Sequence, residues 1–480
     1  MKTKFALILT LKKWLNVLLV MAFVYCAFML LKTNVYRFNP QYLVENSILK
    51  NKNFSVEVKE ITSKNLKAKA YLYEEHSNPI VSMNFSFQHA GSAYDPESLQ
   101  GTSLLLSDML TSGAGPYNLK AFHEILERKA IHLSFDADVD DFSGSILFIK
   151  KDINEAARLL NLALTKPRFE TIELQKSITL RETAFKRKME RPKTFLYVEA
   201  LKKIYGTHPY GRNPYGNINH YKKMTAVSLQ RFLKTHLALD NLIIGISGDI
   251  TESEAQKLLD EVFKNLPRRY TGKKLADVTV DFSAPSEHIQ KPSRQNAGMF
   301  FAAGPHRLDK DFYPAVIAMQ ILAGGSLNSR IQQKAREKEG LTYGVYGSLG
   351  HNDKINFISG EYSSTPENFA RLQEIIADEW QNLGSFGVSE AEFEQTKNYL
   401  LAADALRYAD IDNISETLVY MQKMNLGLDF LQKRNSYIQE VDLDAVNDAT
   451  QKYFTTNNLR FITIGENNEI GAQEKNENDR

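Results

Sequence analysis

The sequence predicts an α+β chain of two homologous α/β domains, preceded by one N-terminal transmembrane helix. Three observations predict it. Strand-like and helix-like stretches alternate from about residue 55 onward, one long segment recurs late in the chain, and residues 14–31 form a charge-free apolar run. Of 480 residues, 43% are hydrophobic and 24% charged, enough apolar material for more than one core, which excludes disorder over most of the length. Lys and Arg total 59 against 57 Asp and Glu, a net charge of +2. No global field therefore draws nucleic acid, and no interior basic run supplies a local one. A single cysteine excludes an intrachain disulfide framework and a CxxC-type metal knuckle.

The apolar run reads WLNVLLVMAFVYCAFMLL. As a helix it rises about 27 Å, close to the ~30 Å hydrocarbon core of a bilayer. Lys2, Lys4, Lys12 and Lys13 precede it, so the positive-inside rule places the N-terminus in the cytoplasm and the chain after Lys32 outside it. The expected location is the inner (cytoplasmic) membrane, single-pass, with the bulk of the chain on the periplasmic or extracytoplasmic side. A cleaved signal peptide is the rival reading, but its apolar region is shorter and ends in a small-x-small site, which does not follow Leu31. Cys26 reads as a residue of the membrane helix rather than a lipidation site, since bulky Tyr25 precedes it and apolar residues follow.

Residues 68–74 and 79–88 alternate as strands. Residues 101–112, 118–130 and 171–190 read as helices, the last stopping where Pro192 forbids continuation. Residues 224–250 recur at 441–467 with a constant offset of 217 and no gap. Asn241-Leu242 falls on Asn458-Leu459, and Gly248-Asp249 falls on Gly465-Glu466. Each copy reads as an amphipathic helix, an Asn-containing turn and a strand ending at Gly-acid. So long a period is not a solenoid; it means two similar domains, each able to bury its own core. The division is 1–35 cytoplasmic tip and anchor, 36–270 first domain, 271–295 polar linker with Pro285 and Pro292, and 296–480 second domain.

Residues 91–113, GSAYDPESLQGTSLLLSDMLTSG, resemble the zinc segment of the pitrilysin/insulinase peptidase family, the inverzincins. There a similar Gly-Thr-small stretch opens a helix carrying His-x-x-Glu-His, whose two His hold zinc while the Glu acts as general base. The corresponding positions here are Leu104, Ser107 and Asp108. Leu has no lone pair for a metal, and a Ser hydroxyl is a poor base. The resemblance implies a third ligand at Glu182, 74 residues after Asp108, while a second family Glu position holds Gln175. With its partners gone, Glu182 reads as an ordinary exposed helix carboxylate and its metal position as vacant. No residue of the degenerate motif is expected to be catalytic, and no metal is expected on this chain.

The resemblance extends over about residues 55–467. It includes the His-Pro-Tyr-Gly stretch of 205–225, the strand ending in Gly-Asp, and ILAGGSLNSRIQQKAREKEGLTYGVY at 321–346. In that last segment the family places an Arg and a Tyr seven apart, which grip the scissile region of the substrate; here they are Arg336 and Tyr343. From the residues themselves, Arg336 ends an amphipathic helix with Gly340 as its C-terminal cap, and Tyr343 begins a strand. A guanidinium fork and a phenol are donors suited to peptide carbonyls and a developing oxyanion. The alternative is surface pairing of Arg336 with Glu337 or Glu339, and core packing of Tyr343.

No spacing among the ten histidines rebuilds a zinc site. His208 precedes a Pro-Gly turn and reads as structural, His123 and His132 do not share a helix face, and His306 and His351 stand alone. Asp136, Asp138, Asp140 and Asp141 read as a solvated strand face, since a calcium loop would need a turn Gly and a closing Glu.

The resemblance implies two domains of the pitrilysin/mitochondrial-processing-peptidase type arranged as a clam. It also implies a division of labour seen in two-chain members. This chain would be a non-catalytic, substrate-gripping subunit of a heterodimer, with zinc in a homologous partner bearing His-x-x-Glu-His and an unfolded peptide as substrate. Two other readings stay open: a peptide-binding or assembly scaffold without a role in hydrolysis, and a peptidase active alone on Asp108 and Glu182.

Overall fold

The structure is a computed structural model that describes residues 57–466 except 326–327 and 408–409, with side chains omitted at 404–409. The predicted membrane run 14–31 lies outside the described residues; among those described, no helix is long and apolar enough to cross a membrane.

The first half contributes β1 (Val58–Thr62), β2 (Lys69–Glu74), β3 (Ile80–Phe87), the small hairpin β4 (Gly113–Ala114) and β5 (Tyr117–Asn118), β6 (His132–Ala137), β7 (Phe142–Ile149) and β8 (Leu242–Gly248). Its helices are α1 (Thr102–Met109), α2 (Leu119–Arg128), α3 (Ile153–Thr165), α4 (Thr171–Glu190), α5 (Pro192–Tyr205), α6 (Ile218–Tyr221), α7 (Ala226–His236) and α8 (Glu252–Phe263). The second half contributes β9 (Glu287–Gln290), β10 (Asn296–Ala303), β11 (Val345–Asn352), β12 (Ile355–Ser364) and β13 (Arg460–Gly465). Its helices are α9 (Phe312–Ala323), α10 (Pro366–Phe386), α11 (Glu390–Arg407), α12 (Ile411–Lys423), α13 (Phe430–Gln439) and α14 (Leu443–Tyr453).

The two sheets have one topology. The first runs β1-β2-β8-β3-β7-β6 and the second β9-β13-β10-β12-β11. In each, the only parallel pair joins the first strand of the common set to the last: β2 with β8, and β9 with β13. The sequence repeat is the helix–turn–strand that ends each half, α7 to β8 and α14 to β13. Its Asn has a structural reason. Asn241 Nδ2 donates to the carbonyls of His236 and Gln88, and Asn458 Nδ2 donates to those of Tyr453 and Ala303. In both copies the side chain ties the helix end to the strand beside it. Gly248 and Gly465 end the two strands at φ +117° and +155°, where an added Cβ would meet Ile80 O or Asn296 Oδ1 at about 2 Å. The 271–295 stretch differs from its reading as a linker: Glu287–Gln290 is a strand of the second sheet, its alternation too short to register among polar neighbours.

The halves exchange helices. α4 ends at Glu190, Arg191 turns extended at ψ 120°, and Pro192 starts α5 at its first position, where a missing N–H costs nothing. α5 then buries Leu196, Ala200 and Ile204 with Ala297, Phe301, Ile462 and Ile464 of the second sheet. Reciprocally, α12 of the second half buries Ile414, Leu418 and Met421 with Val58 and Tyr73 of the first. The 217-residue offset carries 194–206 onto 411–423, so these helices are equivalent. The α12 seat is partly polar: Ser82 Oγ donates to Asp412 Oδ1 at 2.7 Å, and Asn84 Nδ2 to Ser415 Oγ at 2.7 Å. Gly245 is its closest approach, since an added Cβ would stand 2.2 Å from Ser415 O and 2.8 Å from Leu418 Cβ. Gly245→Ala should therefore lift α12 and cost about 1–3 kcal/mol, read as a fall in denaturation midpoint.

A second stability prediction concerns Glu392, which accepts a two-pronged bond from Arg330 at 2.7 and 2.9 Å. The Arg330 fork, with Ser389, lowers its carboxyl to about 2. A depressed carboxyl contributes stability above its ordinary range near 4.5, and that stability is lost as pH falls through about 2. Partial solvent screening limits Glu392→Gln to about 1 kcal/mol at pH 7. Denaturant titrations should show the penalty shrinking below pH ~4.

Candidate functional site

The degenerate motif lies on α1. Buried Asp95 holds the N-terminus of that helix, accepting from Gly101 N at 2.6 Å and Ser103 N at 2.8 Å. Burial pushes the Asp95 carboxyl up to about 7, against the two amides, which favour its charged form. Leu104 and Ser107 are buried, and the Ser107 hydroxyl donates to Leu104 O at 2.8 Å, closing on its own helix. Asp108 is gripped by α4: Arg181 Nε donates to its Oδ2 at 2.5 Å and Arg181 Nη2 to its Oδ1 at 2.6 Å. Arg181 Nη2 also donates to Leu104 O at 2.9 Å. Glu182, beside Arg181, is partly buried rather than exposed as expected, and its Oε1 is buried with no hydrogen-bond partner. Gln175 is exposed.

These residues do not fit zinc. Catalytic zinc takes three protein ligands. Leu104 offers none, both Asp108 oxygens already serve a guanidinium, and Glu182 alone keeps a free oxygen. Among the described residues no group of three or more His, Cys, Asp or Glu is placed to hold a metal. Arg181 instead puts a fixed positive charge between α1 and α4. Elemental analysis of the dialysed full chain should find no stoichiometric zinc, and a chelator should leave its unfolding midpoint unchanged. One zinc per chain, lost on Asp108→Ala or Glu182→Ala, would overturn this.

Arg336 and Tyr343 lie on another segment. Residues Gln332–Lys338 form a π-helical turn, a rare geometry concentrated at functional sites. Gly340, at φ +64°, ends it, and Leu341 N donates to Ala335 O at 2.8 Å. The loop is then pinned to the end of β12. Ser364 Oγ donates to Leu341 O at 2.5 Å, and Thr342 Oγ1 to Ser363 O at 2.7 Å. Pinned on both sides, the loop turns Tyr343 outward: it is 86% exposed, which excludes core packing. The strand starts at Val345, two residues later than the alternation predicts, because Thr342 caps the turn at Gly344 N. Arg336 lies 3.5 Å from Glu337, a half-exposed pair left free to exchange for another acceptor.

Among the described residues, none of the histidines singled out from the sequence belongs to a group placed to hold a metal. His208 Nδ1 accepts from Tyr210 N, His306 Nδ1 accepts from Leu308 N, His123 and His132 are exposed, and His351 packs on the Tyr420 ring. The acidic cluster corrects its reading as a solvated face. Asp136 and Asp138 are exposed, but Asp140 and Asp141 are buried where the two halves meet. Asp140 accepts from Tyr210 Oη at 2.5 Å and from Asn352 Nδ2 and Asp353 N at 3.1 and 3.0 Å. Asp141 pairs with Lys423 of α12 at 2.6 Å.

Two duplicated α/β halves, exchanged helices and an ion pair at the metal position define a peptidase-like fold without a peptidase's metal ligands. Residues 57–212 match the family described as Insulinase (Peptidase family M16), and residues 223–400 match Peptidase M16 inactive domain. The chain belongs to peptidase family M16. It is 25% identical over 405 residues to the "Non-peptidase homolog YmxG" of Helicobacter pylori, covering 82% of this chain and 91% of that one. A crystal structure of a peptidase M16 inactive domain from Pseudomonas fluorescens shares its fold, with a TM-score of 0.79 at 24% identity over 86% of this chain and 98% of that one. The periplasmic protease PqqL of Escherichia coli also shares the fold, with a TM-score of 0.72 at 12% identity; 86% of this chain covers 46% of that one.

Proposed function

We propose that this chain is the non-catalytic, substrate-gripping subunit of a membrane-anchored, extracytoplasmic zinc peptidase. Its partner is a homologous chain with an intact His-x-x-Glu-His motif, and the cleavage chemistry resides there. The carrying observation is Tyr343: a tyrosine 86% exposed on a loop pinned by Ser364 and Thr342, seven residues from a half-exposed Arg336. Neither side chain is needed by the core, and together they present donors to a peptide backbone. The Asp108–Arg181 pair speaks against a peptidase active alone, since both Asp108 oxygens serve the guanidinium. That this chain spans about half the length of PqqL, whose fold it shares, accords with an assembly of two such chains. The apolar run 14–31 anchors it, with Lys2, Lys4, Lys12 and Lys13 on the cytoplasmic side.

Co-expression with a zinc-bearing homologue tests the proposal. The pair should copurify and cleave unfolded peptides, while this chain alone should not. A partner equally active without this chain would leave the scaffold reading. A reporter fused after residue 40 should lie outside the cytoplasm; a mature N-terminus beyond residue 31 would show a cleaved signal instead.

A further inference from the structure

The second half contains a cavity of about 440 Å³, within the size range of small-ligand sites. It lies between the loop after β10, the start of α9, the α12–α13 connection and α14, and Arg307, Tyr313, Leu426, Phe430, Tyr437 and Val441 line it. None of its lining residues belongs to the degenerate motif or to the Arg336–Tyr343 loop.

Arg307 is the unusual member. It is 8% exposed. Its guanidinium stands 4.3 Å from the centre of the Phe312 ring, 5.1 Å from Tyr313 and 5.4 Å from Phe430. Nε donates to Tyr420 Oη at 3.1 Å and Nη2 to Tyr313 Oη at 3.0 Å. Among the described residues no carboxylate pairs with it, and no protein acceptor meets Nη1. An arginine cannot shed its proton, so a buried one without a counter-ion is costly; ring faces and phenol oxygens offset only part of that cost. Lys310 adds a second cation to the lining. Burial, with repulsion from Arg307, holds the guanidinium of Arg434 down to about 10, which marks a further cation nearby. Of the two acids at the cavity, Asp309 is engaged by His306 N at 2.8 Å and Glu440 is exposed.

We propose that this cavity binds a carboxylate carried on an apolar or aromatic body, the chemistry of a peptide's C-terminal residue. The carboxylate supplies the acceptors that Arg307 lacks, and the body packs on the stacked Tyr313 and Tyr437 rings, whose centres are 5.6 Å apart. An Arg fork favours a planar carboxylate over a point anion, and the aromatic walls favour a ligand with apolar surface.

Calorimetric titration of the full chain with N-acetylphenylalanine tests this, with its neutral amide and inorganic phosphate as further arms. The acid should bind with a Kd of about 1 mM, the scale for so small a ligand. The amide should bind at least ~10-fold more weakly, because it leaves Arg307 without an anion. Phosphate should compete poorly, lacking the apolar body. Arg307→Met should abolish binding. Should that variant misfold, Ala445→Leu narrows the cavity from α14 without touching Arg307 and should weaken binding to the same degree. Equal binding of acid and amide, full competition by phosphate, unchanged affinity in Ala445→Leu, or no binding of the acid would each overturn the proposal.

Discussion

A peptidase reconstituted from a zinc-bearing partner and the Tyr343→Phe form of this chain should turn over peptide about 10²- to 10³-fold more slowly than the wild-type pair, the usual cost of losing one oxyanion donor. The substitution removes a hydroxyl from a side chain 86% exposed, with no contact in the core, so folding and copurification should be unchanged. In the proposed role Arg336→Ala should mainly raise KM, since a fork that held carbonyls equally in the ground and transition states would contribute uniform binding. Its cost in stability should be small, because the pair it loses with Glu337 is half-exposed. Leu104→His should do almost nothing, because Ser107 and Asp108 still lack the base and second ligand and Arg181 still occupies Asp108. Full activity of the Arg336→Ala, Tyr343→Phe double variant in an intact complex would refute a role in hydrolysis and leave a scaffold.

The duplicated fold was legible because its repeat falls where geometry leaves little choice. Asn241 and Asn458 each supply a donor to two specific carbonyls, and Gly248 and Gly465 each sit where a Cβ would strike the neighbouring strand. The loss of the zinc ligands was legible from Leu104 and Ser107 alone. What replaced them was not. Arg181 is one residue from Glu182, about 100° around the helix, and no local pattern says which of the two turns toward α1. The helix exchange was hidden for a related reason. The apolar stripe of α5 states that it buries a face, but not that the sheet beneath belongs to the other half. Asp140 and Asp141 read as solvated because alternating acids on a strand normally face water. Their donors are far along the chain, at Tyr210, Asn352, Asp353 and Lys423.

That buried cluster carries the largest stability effect expected here. Asp138, Asp141 and Asp353 surround one lysine, Lys423, while Asp140 sits beside Asp353. Burial alone would disfavour the Lys423 charge, but the pull of Asp141, Asp138 and Asp353 raises it above its ordinary value. The same excess of negative charge acts on the acids: burial pushes Asp141 up to about 6, with Lys423 opposing, and burial and Asp353 raise Asp140. A carboxyl raised in the folded state contributes stability below its ordinary range near 4, and that contribution is lost as pH rises through about 6. The wild type should therefore gain stability between pH 7 and 5 at this site, and Asp141→Asn should flatten that slope. Asp140→Ala strands the Tyr210 hydroxyl and two donors of the β11–β12 turn, at a cost of about 3–5 kcal/mol. Lys423→Met should cost as much at neutral pH, because it leaves buried Asp141 without its cation, while Asp353 keeps His89 at 3.1 Å. Adding Asp141→Asn to Lys423→Met should recover a large part of that loss, since removing both charges leaves less to desolvate. Chemical denaturation of the four variants at pH 5 and 7 reads all these terms. Lys423→Met costing less than about 1 kcal/mol at pH 7 would show that the Lys423 charge contributes little to holding the two halves together.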